Sequence, residues 1–229
     1  MSLGSIEIDR FEVQMKPLVM VGAGSGSLPR LVAEAMVARG SPLAGYLEFG
    51  DHPEPPTTPI VRLGGAERLD DPAFLGEFDL VVAVQGERRR ALCETITARG
   101  ASLPVIAHPS AVLSPTASIG AGTIISAGVV VQSDARIGRF CVLNTACTID
   151  HDNILGDFVS VSPGVHTTGH VKIGDHSFVG AGSVILNGLK VGRHATIGAG
   201  AVVIRDVPDG VTVVGNPARV LTARGLQAT

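Results

Sequence analysis

From Val112 to Val207 the chain repeats every six residues without interruption, beginning VLSPTA SIGAGT IISAGV and ending KVGRHA TIGAGA VVIRDV. The second place is Leu, Ile or Val in fifteen of the sixteen units, Thr167 being the exception, and the sixth place is mostly small or β-branched. A longer period lies on top, since Gly120, Gly138, Gly156, Gly174 and Gly192 are eighteen apart. Three hexapeptides therefore predict one turn of a triangular solenoid, with glycine at the same corner of each turn because it tolerates backbone angles and close approaches that other residues resist. The expected fold is an all-β parallel β-helix with short flat strands, in which residues eighteen apart stack at the sheet spacing of roughly 4.8 Å. Composition agrees: hydrophobic residues make up 45% but aromatics only 3%, with no Trp, and thin coils have little room for large rings.

Before the repeat the pattern changes. LVMVG (18–22), LAGYLEF (43–49) and FDLVVAVQ (78–85) read as strands, PRLVAEAMVAR (29–39) and ERRRALCETITAR (87–99) as helices closed by Gly40 and Gly100. The strand PVIAH (104–108) leads into the coil, and the proline-rich 51–60 is a surface loop. Strands alternating with helices argue a small α/β, Rossmann-like domain with a parallel sheet. The expected organisation is this domain over 17–107, the β-helix over 108–207 and a capping segment over 208–229. The loop GAGSGS (22–27) falls between the first strand and the first helix. Its glycines let backbone N–H groups approach a phosphate at a helix N-terminus, although a lone loop of this kind is also read as a plain turn.

A net charge of −3 and a pI near 6.1 give no argument for nucleic acid or an anionic membrane as partner. No run of eighteen apolar residues exists, so no membrane span is expected. MSLGSIEIDRFEVQMK carries charges where a signal peptide needs an apolar core. Three cysteines do not make a disulfide framework; Cys141 and Cys147 occupy the same place in neighbouring hexapeptides and read as small core fillers in a reducing cytoplasm.

The repeat resembles that of the left-handed β-helix acyltransferases. Three segments narrow the likeness: AHPSAVLSPTASIGAGT (107–123), NTACTIDHDNILGDF (144–158) and VPDGVTVVGNPARVL (207–221). They resemble the sialic-acid O-acetyltransferases and nucleotide-amino-sugar N-acetyltransferases that carry a small αβ domain before the helix. The left hand of the coil is implied by this resemblance alone, because parallel crossovers are normally right-handed. The resemblance also implies acetyl-CoA as donor, a nucleotide-linked amino sugar (a 4-amino-sugar) as acceptor and a homotrimer as the assembly.

Acyl transfer needs a base at the acceptor, a donor to the oxyanion and a slot for the thioester. His151 stands at the fourth place of TIDHDN, on the outside near a corner, and Gly169 is eighteen residues later. The coil would set the Gly169 amide one turn above His151, where a fixed backbone donor could meet an oxyanion. The resemblance implies the same roles: His151 as general base, Asp152 as the acid that raises its basicity, and the Gly169 amide toward the thioester carbonyl. It further implies acetyl-CoA contacts at Ser160, where family members often carry a histidine, and at Ala181 and Ala199 along the pantetheine arm. Arg205 and Arg219 are candidates for the phosphates. For the nucleotide-sugar the resemblance implies Gly22, Gly24, Ser25, Gly26, Glu48 and Gln85. The chain departs from the family there: the loop lacks the usual histidine, Ser25-Gly26-Ser27-Leu28-Pro29 precede Arg30, and Gln85 replaces a frequent glycine. His166 and His170 lie close enough in the repeat to serve the site as well.

Two other classes remain open. Zinc hydration enzymes of the carbonic-anhydrase type use the same coil but need three converging histidines, and the spacings of His151, His166, His170 and His176 do not supply them. A non-catalytic scaffold or sugar-binding protein is the other class.

Overall fold

A computed structural model of the protein describes residues 16–22, 26–49 and 59–221. Places one and two of each hexapeptide form a two-residue strand, from Val112–Leu113 through Val202–Val203, and the next four residues turn a corner. Side chains alternate along a strand, so place one faces outward and place two inward. Ile125, Leu143, Ile149, Val179, Ile185 and Ile197 at place two are fully buried. Each such side chain contributes roughly 1.5–3 kcal/mol of burial. Cys141 and Cys147 fill sixth places of the same core as expected, and burial pushes both thiols up to about 12, so they stay protonated.

The strands fall on three parallel faces. The first runs Ile106–Ala107, Ile124–Ile125, Val142–Leu143, Ser160–Val161, Phe178–Val179 and Thr196–Ile197. The second holds six strands from Val112–Leu113 to Val202–Val203, and the third holds five from Ser118–Ile119 to Lys190–Val191. Partners such as Val112↔Val130, Val142↔Ser160 and Arg136↔Ile154 are eighteen apart, as the repeat predicts. At the C-terminal end the count shortens: Thr196 pairs with Thr212 and Val191 with Val207, sixteen apart. Thr212–Val214 then closes the first face through an antiparallel pairing with Arg219–Val220.

The periodic glycines meet one of the two expected needs. A Cβ on Gly138 would lie 2.5 Å from the Gly156 carbonyl carbon, and one on Gly120 2.6 Å from that of Gly138, so close approach excludes any side chain. Their backbone is not left-handed. The left-handed residue is the fifth place instead, at every unit from Gly122 to Gly200, with Asp134, Phe140, Ala146, Asp152, Phe158, His170, His176 and His194 among them.

The N-terminal segment runs β1 (Leu18–Val21), α1 (Ser27–Ala38), β2 (Gly45–Leu47), β3 (Arg62–Gly64), α2 (Pro72–Glu77), β4 (Asp79–Val82) and α3 (Gly86–Ala98). Its four strands form a parallel sheet ordered β3-β2-β1-β4. Sequence patterning missed β3, three residues without alternation, and α2. The latter had a signal, since Asp71 accepts hydrogen bonds from the Ala73 and Phe74 amides ahead of Pro72. The expected strand at 104–108 pairs with Ile124–Ile125 and so belongs to the coil. The proline-rich loop falls largely at 50–58, outside the described residues.

The sheet and α1 pack on the first face: the outward Ile106, Ile124 and Val142 are buried with Leu28, Val32 and Met36. Arg89 of α3, 5% exposed, pins this joint. Its guanidinium donates to the carbonyls of Val82 on β4, and of Gly122 (2.9 Å) and Phe140 (3.4 Å) on the coil. The carboxyl edge of the sheet is thereby held beside the coils of Phe140 and Phe158, whose rings lie tilted against each other with centroids 4.8 Å apart.

Candidate active site

The corner between the second and third faces carries Asp150, His151, Asp152 and Asn153. Asp150 Oδ1 accepts from the His151 amide at 2.7 Å, and Asp152 takes the left-handed fifth place with φ 58°. That turn directs the Asp152 carboxylate back onto its neighbour: His151 Nδ1 lies 2.8 Å from Asp152 Oδ2. With Nδ1–H donating to the carboxylate, Nε2 keeps its lone pair and faces solvent. The hydrogen bond from Asp152 raises the His151 pKa above its ordinary value, and Asp150 adds to the effect. Asp152 is reciprocally held below the usual carboxylate range by His151, with His170 helping.

One coil on, Gly169 lies against the imidazole. A Cβ there would be 2.5 Å from His151 Cε1 and 2.6 Å from Nε2, so only glycine lets the ring sit as it does. Among the described residues no group accepts the Gly169 N–H, whereas the following amide, of His170, donates to the His151 carbonyl at 3.0 Å. The structure thus brings His151, Asp152 and Gly169 together, as the eighteen-residue spacing predicts. His170 joins them, its ring edge-on to His151 at 5.1 Å and its Nε2 3.8 Å from Asp152 Oδ2. His151, Asp152 and His170 present three ligand atoms within 4.8 Å of one another, all on exposed residues, and among the described residues this is the group that could hold a metal ion.

The other expected residues lie elsewhere on the chain. Ser160 faces outward from the first face, one coil past the buried Val142. Ala181 and Ala199 occupy consecutive turns of the corner between the first and second faces, and among the described residues nothing accepts their amides. Within one chain none of the three is beside His151. His166 sits on the second face with Nδ1 2.9 Å from Thr148 Oγ1. Arg205 and Arg219 are exposed at the C-terminal end.

At the carboxyl edge of the sheet, Gly22 has φ 81° and abuts Val84, Gly26 caps α1, and Gln85 caps α3. Glu48 follows β2 and is ion-paired to Arg62 at 2.8 Å. Gly24 and Ser25 lie outside the described residues. Sequence reasoning passed over Asp150, whose signal is only its place beside His151.

The pattern described as bacterial transferase hexapeptide (six repeats) matches residues 154–187 and 170–205. Among curated protein sequences nothing matches the chain. Among solved structures, the acetyltransferase domain of PglB from Neisseria gonorrhoeae FA1090, in complex with acetyl coenzyme A, is 37% identical, with a TM-score of 0.83 over 90% of this chain and 100% of that one. The same domain in a second structure is 38% identical over 89% of this chain and 98% of that one, TM-score 0.82. A mutant of perosamine N-acetyltransferase from Caulobacter crescentus, in complex with CoA and GDP-perosamine, is 32% identical over 90% of this chain and 96% of that one, TM-score 0.81.

Proposed function

Because this chain belongs to the left-handed β-helix sugar N-acetyltransferases of the bacterial hexapeptide transferase family, we propose that it moves an acetyl group from acetyl-CoA to the amine of a nucleotide-linked amino sugar, with His151 as general base. The observation that carries the assignment of the base is the His151–Asp152 hydrogen bond under an unpartnered Gly169 amide. The 4-amino group of the sugar attacks the acetyl carbon. His151 Nε2 takes its proton, and the Gly169 N–H meets the oxyanion as it forms. Collapse of the tetrahedral intermediate expels the CoA thiolate and leaves an amide.

The nucleotide end is assigned to the domain over 17–107. Its strand order reverses direction between β1 and β4, and open parallel sheets take ligands at the carboxyl side of such a switch. Gly22, Gly26 and Gln85 flank that point and Glu48 stands beside it; Gly24 and Ser25, outside the described residues, are assigned to the same loop by sequence alone.

The cofactor contacts call for a homotrimer. Ala181 and Ala199 edge the second face on one side, and His151 edges it on the other. Three copies with their second faces turned toward a common axis bring the base corner of one copy against the Ala181–Ala199 corner of the next. Ser160 lies on the first face next to that corner. Composition supports this choice of face: its outward residues include Val112, Val130, Val184 and Val202, whereas the third face presents Arg136, Lys172 and Lys190. The capping role is assigned to 208–221, the rest of the expected 208–229 segment lying outside the described residues. The reading implies a cytoplasmic enzyme, where its two substrates are made.

The test is release of free CoA from acetyl-CoA with a panel of UDP-, GDP- and dTDP-linked amino sugars and free sialic acid. Turnover of one nucleotide sugar, reduced roughly 10²–10⁴-fold by His151→Ala, is the expected result. Failure to bind acetyl-CoA defeats the reading, and turnover of sialic acid alone redirects it to O-acetylation.

A further inference from the structure

The core of the coil is apolar at place two except for Thr167, and the sixth place one coil before it holds Asn153. Both are buried, at 3% and 0% exposure. Asn153 Nδ2 donates to Thr167 Oγ1 at 2.5 Å, and Asn153 Oδ1 accepts from the Val171 amide at 2.6 Å. Thr167 Oγ1 also accepts from the Asp150 amide and donates to the Thr148 carbonyl, each at 3.2 Å. The hydroxyl therefore uses its proton and both lone pairs.

The places reached are not random. Asp150 immediately precedes His151, and Asn153 follows it by two. Thr167 precedes Gly169 by two, and Val171 follows it by two. The pair thus ties both ends of the turn that carries the base to both ends of the turn that carries the free amide. We propose that Asn153 and Thr167 are positioning residues that fix the 150–153 turn against the 168–171 turn, and so set the base and the oxyanion donor at their working separation. The proposal rests on the reading of His151 as base and the Gly169 amide as oxyanion donor.

Other buried hydroxyls give the comparison. Thr123 accepts from the Cys141 amide and Ser177 from the Ala195 amide, each at 3.1 Å. Both close the corner between the third and first faces, where no candidate catalytic group stands. Each also donates to a carbonyl of the next coil, Thr123 to Gly138 at 3.0 Å and Ser177 to Gly192 at 2.6 Å. Each therefore acts as a single side chain on backbone groups, with no side-chain pair like that of Asn153 and Thr167.

Thr167→Val keeps the shape and removes the hydroxyl, leaving the Asp150 amide and the Asn153 carboxamide without their acceptor. A misplacement of about 1 Å can cost 10²-fold, so kcat is expected to fall about ten- to a hundredfold. KM for both substrates should hold within about threefold, the pattern of an interaction felt in the transition state. As the His151–Asp152 contact loosens, the acid limb of the kcat/KM profile should move to lower pH. Thr167→Ser should restore both readouts. Ser177→Ala should lower the unfolding temperature and leave kcat and the pH limb unchanged. If Thr167→Val does not fold, Asn153→Val/Thr167→Val keeps the core apolar and filled and leaves no buried carboxamide without its acceptor, only the Asp150 and Val171 amides losing theirs. A folded variant of either kind with wild-type kcat and pH profile overturns the proposal. His151→Ala in parallel separates the two ideas: a full rate there defeats the reading of the base, whereas an inactive His151→Ala beside an unimpaired Thr167→Val defeats only the positioning role.

Discussion

At His151 the decisive interaction is with its own neighbour. The Asp152 carboxylate raises the imidazole pKa and fixes which nitrogen carries the proton. A base works only when unprotonated, so activity should climb with pH through a limb above the ordinary imidazole value. Asp152→Asn removes the anion. Its kcat/KM limb should move toward lower pH while the plateau falls, because the base is weaker and its tautomer is no longer held. A pH–rate profile checks both, and an unmoved limb would mean that Asp152 does not act on His151 in solution. Gly169 makes a second point at this scale. In Gly169→Ala the new methyl occupies the space of the His151 ring, so the imidazole must swing away. Unfolding temperature should change little, since the atoms the methyl meets belong to the half-exposed His151 side chain, which can swing into solvent, while kcat falls by about 10²-fold. The proposed base role of His151 came from the resemblance, whereas the stacking of Gly169 on His151 was legible in the sequence because the eighteen-residue period converts spacing into adjacency. The tie through Asn153 and Thr167 was not, although Thr167 stood out as the one break in the pattern. A break in a repeat shows that a rule is suspended, and only coordinates reveal which two turns the polar atoms join.

The coil as an element divides its glycines into two kinds. Gly138 is required by contact, with a Cβ 2.5 Å from the Gly156 backbone, whereas Gly164 has open space around it and φ 64°. Gly138→Ala must move main chain in two coils and should cost about 1–3 kcal/mol. Gly164→Asn places a residue that tolerates the left-handed region at a fifth place, where Asp and Ala already serve, and should cost well under about 1 kcal/mol. Urea midpoints for the two variants measure the difference, and equal losses would contradict the division. The sequence located the strands and the three faces from the apolar second place, because a buried side chain there is a compositional fact. It did not locate the left-handed fifth place, since Phe140, Asp152 and His176 give no hint of it: the coil imposes that angle on whatever residue arrives. In the N-terminal sheet the strands rich in Val and Leu were visible. The Arg62–Gly64 strand was not, because its pairing with β2 and not its composition makes it a strand.

For the whole molecule, the proposed cofactor contacts Ser160, Ala181 and Ala199 lie away from His151 within one chain, so the proposed site needs a second copy. In the proposed trimer each site takes its base from one copy and its cofactor groove from the next. Two inactive variants then become informative together. His151→Ala keeps the groove, and Ala199→Trp, at an open corner, fills the groove and keeps the base. When the two are unfolded, mixed in equal amounts and reassembled, an interface is competent whenever the groove-blocked chain supplies the base and the His151→Ala chain supplies the groove. Random assembly makes roughly a quarter of interfaces competent, so CoA release should recover to about that fraction of a wild-type sample treated alike. Sites confined to single chains would leave the mixture as inactive as its parts. Val184→Lys supplies the complementary test: a charge on the apolar second face should dissociate the trimer in sedimentation and abolish turnover together, though it touches neither His151 nor Asp152. An active monomer would contradict the shared site, because it would require one chain to reach across its own second face from His151 to the Ala199 corner.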